Sequence, residues 1–184
     1  MKPRPGDGRY VALLRGINVG GHRILPMSEL REIFIEAGAT DVETYIQSGN
    51  VVFATPVIAI TDLVLAAANA IEARFGFRPS LMARTHQELA AAVKAHPFAG
   101  PGEDKSLHVG FLASAPKATT ICSSEHQRIA PDRAQIIGRE LYLYCPNGMS
   151  ATKIDKKFLS RLETECTVRN WRTVNKLTKM SASA

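Results

Sequence analysis

The run Tyr10-Val-Ala-Leu-Leu14 is apolar on both of its alternating faces, so as a strand it belongs inside a sheet whose two faces are both covered. It breaks into a glycine-rich loop that holds Arg15, Asn18 and the glycines Gly16, Gly20 and Gly21, and a helix follows from about Ser28. Glycine lets a main chain approach a ligand closely, and a helix N-terminus adds partial positive charge, so a loop of this kind beside an arginine suits an anion.

The helix has Ser28 as its expected N-cap and Glu29 and Glu32 in its first turn. Leu30, Ile33, Phe34 and Ala37 fall on one face, and Gly38 closes it. Two strand-like runs, 42–47 and 50–55, then flank Ser48-Gly49 as a hairpin. A second helix from Thr61 or Asp62 to Gly76 and a strand over 79–84 complete the order strand, helix, strand, strand, helix, strand. That is the ferredoxin-like split βαβ arrangement in a unit of ordinary size. Such a unit alone leaves one sheet face bare. The other half of the chain or a second subunit, as in a homodimer, is therefore expected to cover it.

Thr85-His86-Gln87-Glu88 is a capping box opening a third helix through about Lys94, and 97–105 reads as a linker. The second half offers a strand over 107–113, a weak helix over 122–129, and a hairpin of 134–137 with 140–145 turning at Gly138-Arg139. Thr152 is expected to cap a helix reaching about Glu163. Thr167 is expected to cap a final helix whose Val168, Trp171, Val174 and Leu177 stand three apart. The resulting expectation is an α+β chain of two ferredoxin-like (α/β-plait) units, a structural duplication. Residues 1–8 form a disordered start, 9–98 the first domain with its trailing helix, and 99–184 the second with a basic final helix.

Composition excludes several classes. The 184 residues contain no apolar run of membrane-spanning length and the start has no signal-peptide core, which points to a cytoplasmic protein with no membrane partner. The three cysteines, Cys122, Cys145 and Cys166, are widely spaced, as expected of reduced thiols, and the five histidines show no metal-ligand spacing. No metal and no cofactor are expected. The net charge of +6 is concentrated at the end, with +5 in the last 34 positions. A basic face of this kind suits phosphate, although a solvated helix surface explains most of its lysines one at a time.

The named nucleotide motifs fail. Gly16 to Gly21 matches the opening of a P-loop, but His22-Arg23 stand where Lys and Ser or Thr are required. A dinucleotide fingerprint fails at Asn18 and Val19. No Ser-His-Asp order or nucleophile elbow occurs, and Ser48 has no evident base, so whether the chain is an enzyme stays open. The first half lacks the aromatic signature of RNA-recognition sheets, and Tyr142 and Tyr144 on one strand face read more simply as packing. Gln47, Ser48 and Asn50 crowd the first hairpin's end, where Gly49 and Asn50 taken alone are turn chemistry.

Leu14-Arg15-Gly16-Ile17-Asn18-Val19-Gly20-Gly21, with Met27 and Leu30, and then Thr44-Tyr45-Ile46-Gln47-Ser48-Gly49-Asn50-Val51, resemble the N-terminal signature of the bacterial domain-of-unknown-function family numbered sixteen ninety-seven. Pro146-x-Gly148, Thr152-Lys153 and Thr167-x-Arg169-Asn170-Trp171-x-Thr173-Val174-x-Lys176-Leu177 resemble its C-terminal signature, with Thr152 where serine is more usual. The resemblance implies two α/β-plait domains and no established activity.

The leading expectation is an uncharacterised bacterial protein that binds a phosphate-bearing small molecule, a nucleotide or a nucleic acid at an interdomain cleft. Arg15, Asn18, Gly20, Gly21, Gln47, Ser48, Asn50, Arg169 and Asn170 would form the site. Two alternatives stand beside it: an enzyme of unknown reaction using the same cleft, and a structural or oligomerising protein whose signature residues only bond loops together.

Overall fold

The computed structural model describes residues 7–100, 104–117 and 121–182. The chain is mixed α+β, with two four-stranded antiparallel sheets, each accompanied by helices. It divides into two compact units, Met1–Ala90 with Leu177–Ala184, and Ala91–Lys176. The first division falls inside a helix, earlier than the 98/99 boundary expected from composition. Residues 101–103 of the expected linker lie outside the described residues. No helix among the described residues is long and apolar enough to cross a membrane.

Unit 1 contains β1 (Asp7–Leu14), α1 (Met27–Glu36), β2 (Thr40–Tyr45), β3 (Asn50–Pro56), a 3-10 turn (Val57–Ala59), α2 (Ile60–Phe75) and β4 (Leu81–Thr85). α3 (His86–Lys94) begins here and crosses into unit 2. The sheet order is β2-β3-β1-β4, so the two strands that carry the apolar runs Tyr10–Leu14 and Val51–Ala54 are central. One face of β1, Tyr10, Ala12 and Leu14, packs with Leu30, Ile33 and Phe34 of α1 and Leu63, Ala67 and Ile71 of α2. Phe53 of β3 joins Tyr10 and Phe34 there, at ring-centroid distances of 5.9 and 5.1 Å. Val11, Leu13, Val52 and Ala54, on the other face, are also fully buried. Burying each such Val, Leu or Phe side chain contributes roughly 1.5–3 kcal/mol, which fixes the register of both central strands.

Two expectations for unit 1 are corrected. Asp7 and Gly8 belong to β1 and pair with Pro56 and Thr55, because β3 extends far enough to bond them through the backbone despite their polar character. Residues 1–6 of the expected disordered start lie outside the described residues. Ser28 does not cap α1, which starts at Met27 after Pro26, with no side-chain cap bond. Proline supplies the extended entry there, and Ser28 lies in the first turn. The capping box at α3 forms as read: Glu88 N–H donates to Thr85 Oγ1 at 3.1 Å, and Thr85 N–H to Glu88 Oε2 at 2.8 Å.

Unit 2 contains β5 (Leu107–Leu112), α4 (Ser123–Ile129), β6 (Arg133–Ile137), β7 (Glu140–Tyr144), α5 (Lys156–Ser160) and β8 (Cys166–Asn170). α6 (Trp171–Ser181) starts in unit 2 and ends in unit 1. The sheet order is β6-β7-β5-β8. Leu112, Ile136, Leu141 and Leu143 pack with Ile129 of α4 and Phe158 of α5.

Here three expectations fail. Thr152 caps no helix. Its hydroxyl donates to the buried Asp132 carboxylate at 2.7 Å, and Asp155 caps α5 by accepting from Phe158 N–H at 2.8 Å. α5 ends at Ser160, short of Glu163. The stretch from Thr167 to Asn170 is strand, paired with β5 through Phe111↔Thr167, Gly110↔Val168 and Val109↔Arg169. Gly110 makes this approach feasible, since a Cβ on it would lie 2.8 Å from Cys166 Sγ. Asn170, not Thr167, caps α6, accepting from Thr173 N–H at 2.8 Å.

Candidate functional site

The loop from β1 to α1 folds back on itself as a small tongue. Asn18 N–H donates to Arg23 C=O at 3.2 Å, His22 N–H donates to Val19 C=O at 3.0 Å, and Val19 and His22 form a bridge. Gly20 and Gly21 turn the tongue at φ +58° and +78°. Consecutive positive φ values are what a two-residue primed turn requires, and glycine adopts them without strain.

Asn18 staples the base of the tongue. Its carboxamide accepts from Leu25 N–H at 2.8 Å and donates to Leu25 C=O at 3.0 Å and Gln47 C=O at 2.9 Å. The glycine loop and the β2–β3 hairpin end are thus neighbours. Leu14 N–H donates to Gly49 C=O at 2.8 Å, and a Cβ on Gly49 would meet Ile17 Cδ1 at 2.7 Å. Asn50 is fully buried and donates to Tyr45 C=O and Ser48 Oγ, both at 2.9 Å. Asn18 and Asn50 hold backbone in place, as turn chemistry would have them.

The outer surface is different in kind. Arg15, Gly20, Gly21, His22, Arg23 and Gln47 are exposed, together with Val19 at 66%, Ile24 at 57% and Ile46 at 49%. The segment before β4 adjoins the same loop: Arg15 N–H donates to Ser80 C=O at 2.9 Å, and the Arg23 guanidinium lies 5.9 Å from the Phe77 ring centre. No Asp or Glu occurs in 14–28, 44–61 or 73–87, the segments that supply this surface. Ile46 adopts φ +49°, a conformation that a β-branched residue rarely takes and that costs of order 1–3 kcal/mol. His22 and Arg23 were singled out in the sequence only as failures of the P-loop pattern. The signal for them was their place beside the Gly20-Gly21 turn.

Arg169 and Asn170 belong to unit 2. Arg169 is buried, its guanidinium donating to Thr167 Oγ1 at 2.7 Å and Val168 C=O at 3.0 Å, and burial pushes it down to about 10. On the same unit, buried His96 packs edge-on against Tyr142 and Trp171 at 5.0 and 4.8 Å. Phe98 N–H donates to its Nδ1, so Nε2 carries the proton and donates to His108 C=O at 3.3 Å. Burial lowers the pKa of both His96 and His108. Trp171 is core, as its spacing predicts. Among the described residues no three His, Cys, Asp or Glu side chains group as metal ligands.

No match is found among curated proteins. Among solved structures, a conserved bacterial protein from Streptococcus pneumoniae, SP0830, is similar at a TM-score of 0.75 and 22% identity, covering 96% of this chain and 99% of that one. At that identity the likeness speaks for the fold. The family model described as "Protein of unknown function (DUF1697)" matches residues 8–142, which carry the whole glycine loop and the β2–β3 hairpin, and the chain belongs to that family.

Proposed function

We propose that this chain binds an anionic, phosphate-bearing partner of the nucleotide or nucleic-acid class at the glycine tongue of unit 1. The observation that carries the reading is a projecting, internally bonded loop that exposes Arg15, His22 and Arg23 on a surface fed by three carboxylate-free segments. Arginine in such a setting offers a planar fork to phosphate oxygens, and the glycine turn lets the backbone come close. The strained, exposed Ile46 and the exposed Val19 and Ile24 of the tongue offer apolar contact, which favours an extended partner, a nucleic acid, over a small enclosed ligand.

Ligand contact is assigned to Arg15, Gly20, Gly21, His22, Arg23 and Gln47. The structural reading fits Asn18, Asn50, Arg169 and Asn170, whose bonds described above are internal. Each unit is read as a ferredoxin-like plait and the chain as a structural duplication, and the matching strand orders of the two sheets support this.

The test is binding of a labelled single-stranded oligonucleotide at several salt concentrations, with nucleotides and inorganic phosphate as competitors. Arg15→Ala and Arg23→Ala should each weaken binding and each lower the salt slope by about one. Equal affinity and equal slope in both folded variants would leave the loop with a structural role only.

A further inference from the structure

Unit 2 carries a candidate site of its own. Among the described residues β6 is an edge strand, bonded only to β7. Ile137 and Glu140 flank the two-residue turn Gly138-Arg139 and close the hairpin as a bonded pair. Bonding alternates along an antiparallel ladder, so Arg133 and Gln135 also turn their N–H and C=O groups toward β7. Those of Ala134 and Ile136 point to the free edge.

A cavity of about 440 Å³ lies along that edge. Four consecutive residues, 133–136, line it, with Phe98, Ile121 and His126. Side chains of a strand alternate between faces, so four in a row border one cavity only where it runs beside the strand. The lining includes no carboxylate.

Arg133 gives the groove its chemistry. Its guanidinium is held over Tyr144 at 4.3 Å and over Phe98 at 4.9 Å from the ring centres. Among the described residues it makes no hydrogen bond and no ion pair. Two aromatic faces fix its direction while its donors stay available, which lowers the ordering cost of meeting a carboxylate.

We infer that the free edge of β6 is a docking site for an extended acidic segment of a partner protein, which adds as a strand to the sheet and places a carboxylate on the Arg133 fork. Main-chain bonds from Ala134 and Ile136 would supply affinity. Arg133, with His126 beside it, would select acidic side chains.

The experiment is fluorescence anisotropy with a labelled, end-blocked peptide of alternating Val and Glu. Wild type should bind it, and Arg133→Gln should bind it about tenfold more weakly or worse, in keeping with loss of one charge-assisted contact. Since Arg133 is exposed, the variant should stay folded, its melting temperature lowered by no more than a few degrees through loss of the two ring contacts. N-methylation of one alternate set of peptide amides should abolish binding and of the other set should not, which reads strand pairing independently of Arg133. A Val/Lys peptide should fail. The inference is overturned if the Val/Glu peptide does not bind, if neither N-methylated set loses affinity, or if Arg133→Gln binds equally. It is also overturned if glutarate alone matches the peptide, marking a small-carboxylate site, or if sedimentation shows this edge occupied by a second copy of the chain.

Discussion

In unit 1, Arg84 faces Val11 across the ladder, and the next residue, Thr85, ends β4 and caps α3. In unit 2, Arg169 faces Val109, and the next residue, Asn170, ends β8 and caps α6. The same junction, a buried arginine followed by a capping residue and a helix, occurs at the same point of each sheet. The hairpin turns between the second and third strands of each sheet are where the units part. Gly49 is wedged against Ile17 and Leu14, whereas a Cβ on Gly138 would meet nothing nearer than Glu140 Oε2 at 3.8 Å. Both turns bond back to the neighbouring central strand, Gly49 C=O accepting from Leu14 N–H at 2.8 Å and Arg139 C=O from Leu112 N–H at 3.0 Å. Unit 1 has in addition packed its turn glycine into the base of the glycine tongue, whereas unit 2 leaves room around Gly138.

The sharpest way to break this comparison is to give both turns a methyl group. Gly49→Ala must hold φ +73° and also displace Ile17 Cδ1 from 2.7 Å, so a loss of about 3 kcal/mol or more is expected in denaturant unfolding. Gly138→Ala, at φ +62° with room around it, should lose about 1–2 kcal/mol. Equal losses would mean that the Gly49 turn is not a packed part of the tongue.

Acid should act on unit 2 through His96 and His108. Both have folded-state pKa values held below 6.5 by burial, so the unfolded chain binds more protons as pH falls. Stability is full above about 6.5 and declines below it, at up to about 1.4 kcal/mol per pH unit for each histidine, until the folded pKa is reached. A pH series of unfolding midpoints should show this limb, and His96→Gln should flatten it.

The two junction caps should be nearly equal. Thr85→Ala and Asn170→Ala are each expected to cost about 1 kcal/mol, since each removes the side-chain acceptor of one first-turn N–H, while the bond from Thr85 N–H to the Glu88 carboxylate survives in the first. A neutral Asn170→Ala would break the parallel between the junctions. The smallest effect is expected at the tongue surface, where Arg15→Ala and Arg23→Ala should change stability by less than about 0.5 kcal/mol while weakening oligonucleotide binding.

The first junction was legible and the second was not, for a local reason. Thr85 and Glu88 announce a helix start by side-chain chemistry three residues apart. Around Asn170, the spacing of Val168, Trp171, Val174 and Leu177 imitates a continuous helix, and only pairing with β5 shows that Val168 lies in a strand. Thr152 misled in the same way, since a hydroxyl before an apolar run looks like a cap until the buried Asp132 is seen to claim it. At the site, glycine spacing and Arg15 pointed to the loop, and the structure sorted its polar residues. Asn18 and Asn50 turn inward to backbone, while His22 and Arg23 emerge on the exposed tip.

The sequence by itself determined that Tyr10 to Leu14 lies inside a sheet, where α2 and α3 run, and that Gly16 to Gly21 is a loop. These follow from apolar periodicity, capping chemistry and glycine's conformational freedom, all of which act within a few residues. Only the tertiary structure decided that Thr167 to Asn170 is a strand, that the loop folds into a tongue tied to Gln47, and that β6 presents a free edge beside Arg133. Each of those depends on partners distant in sequence, and no local pattern records a hydrogen bond to a residue that far away.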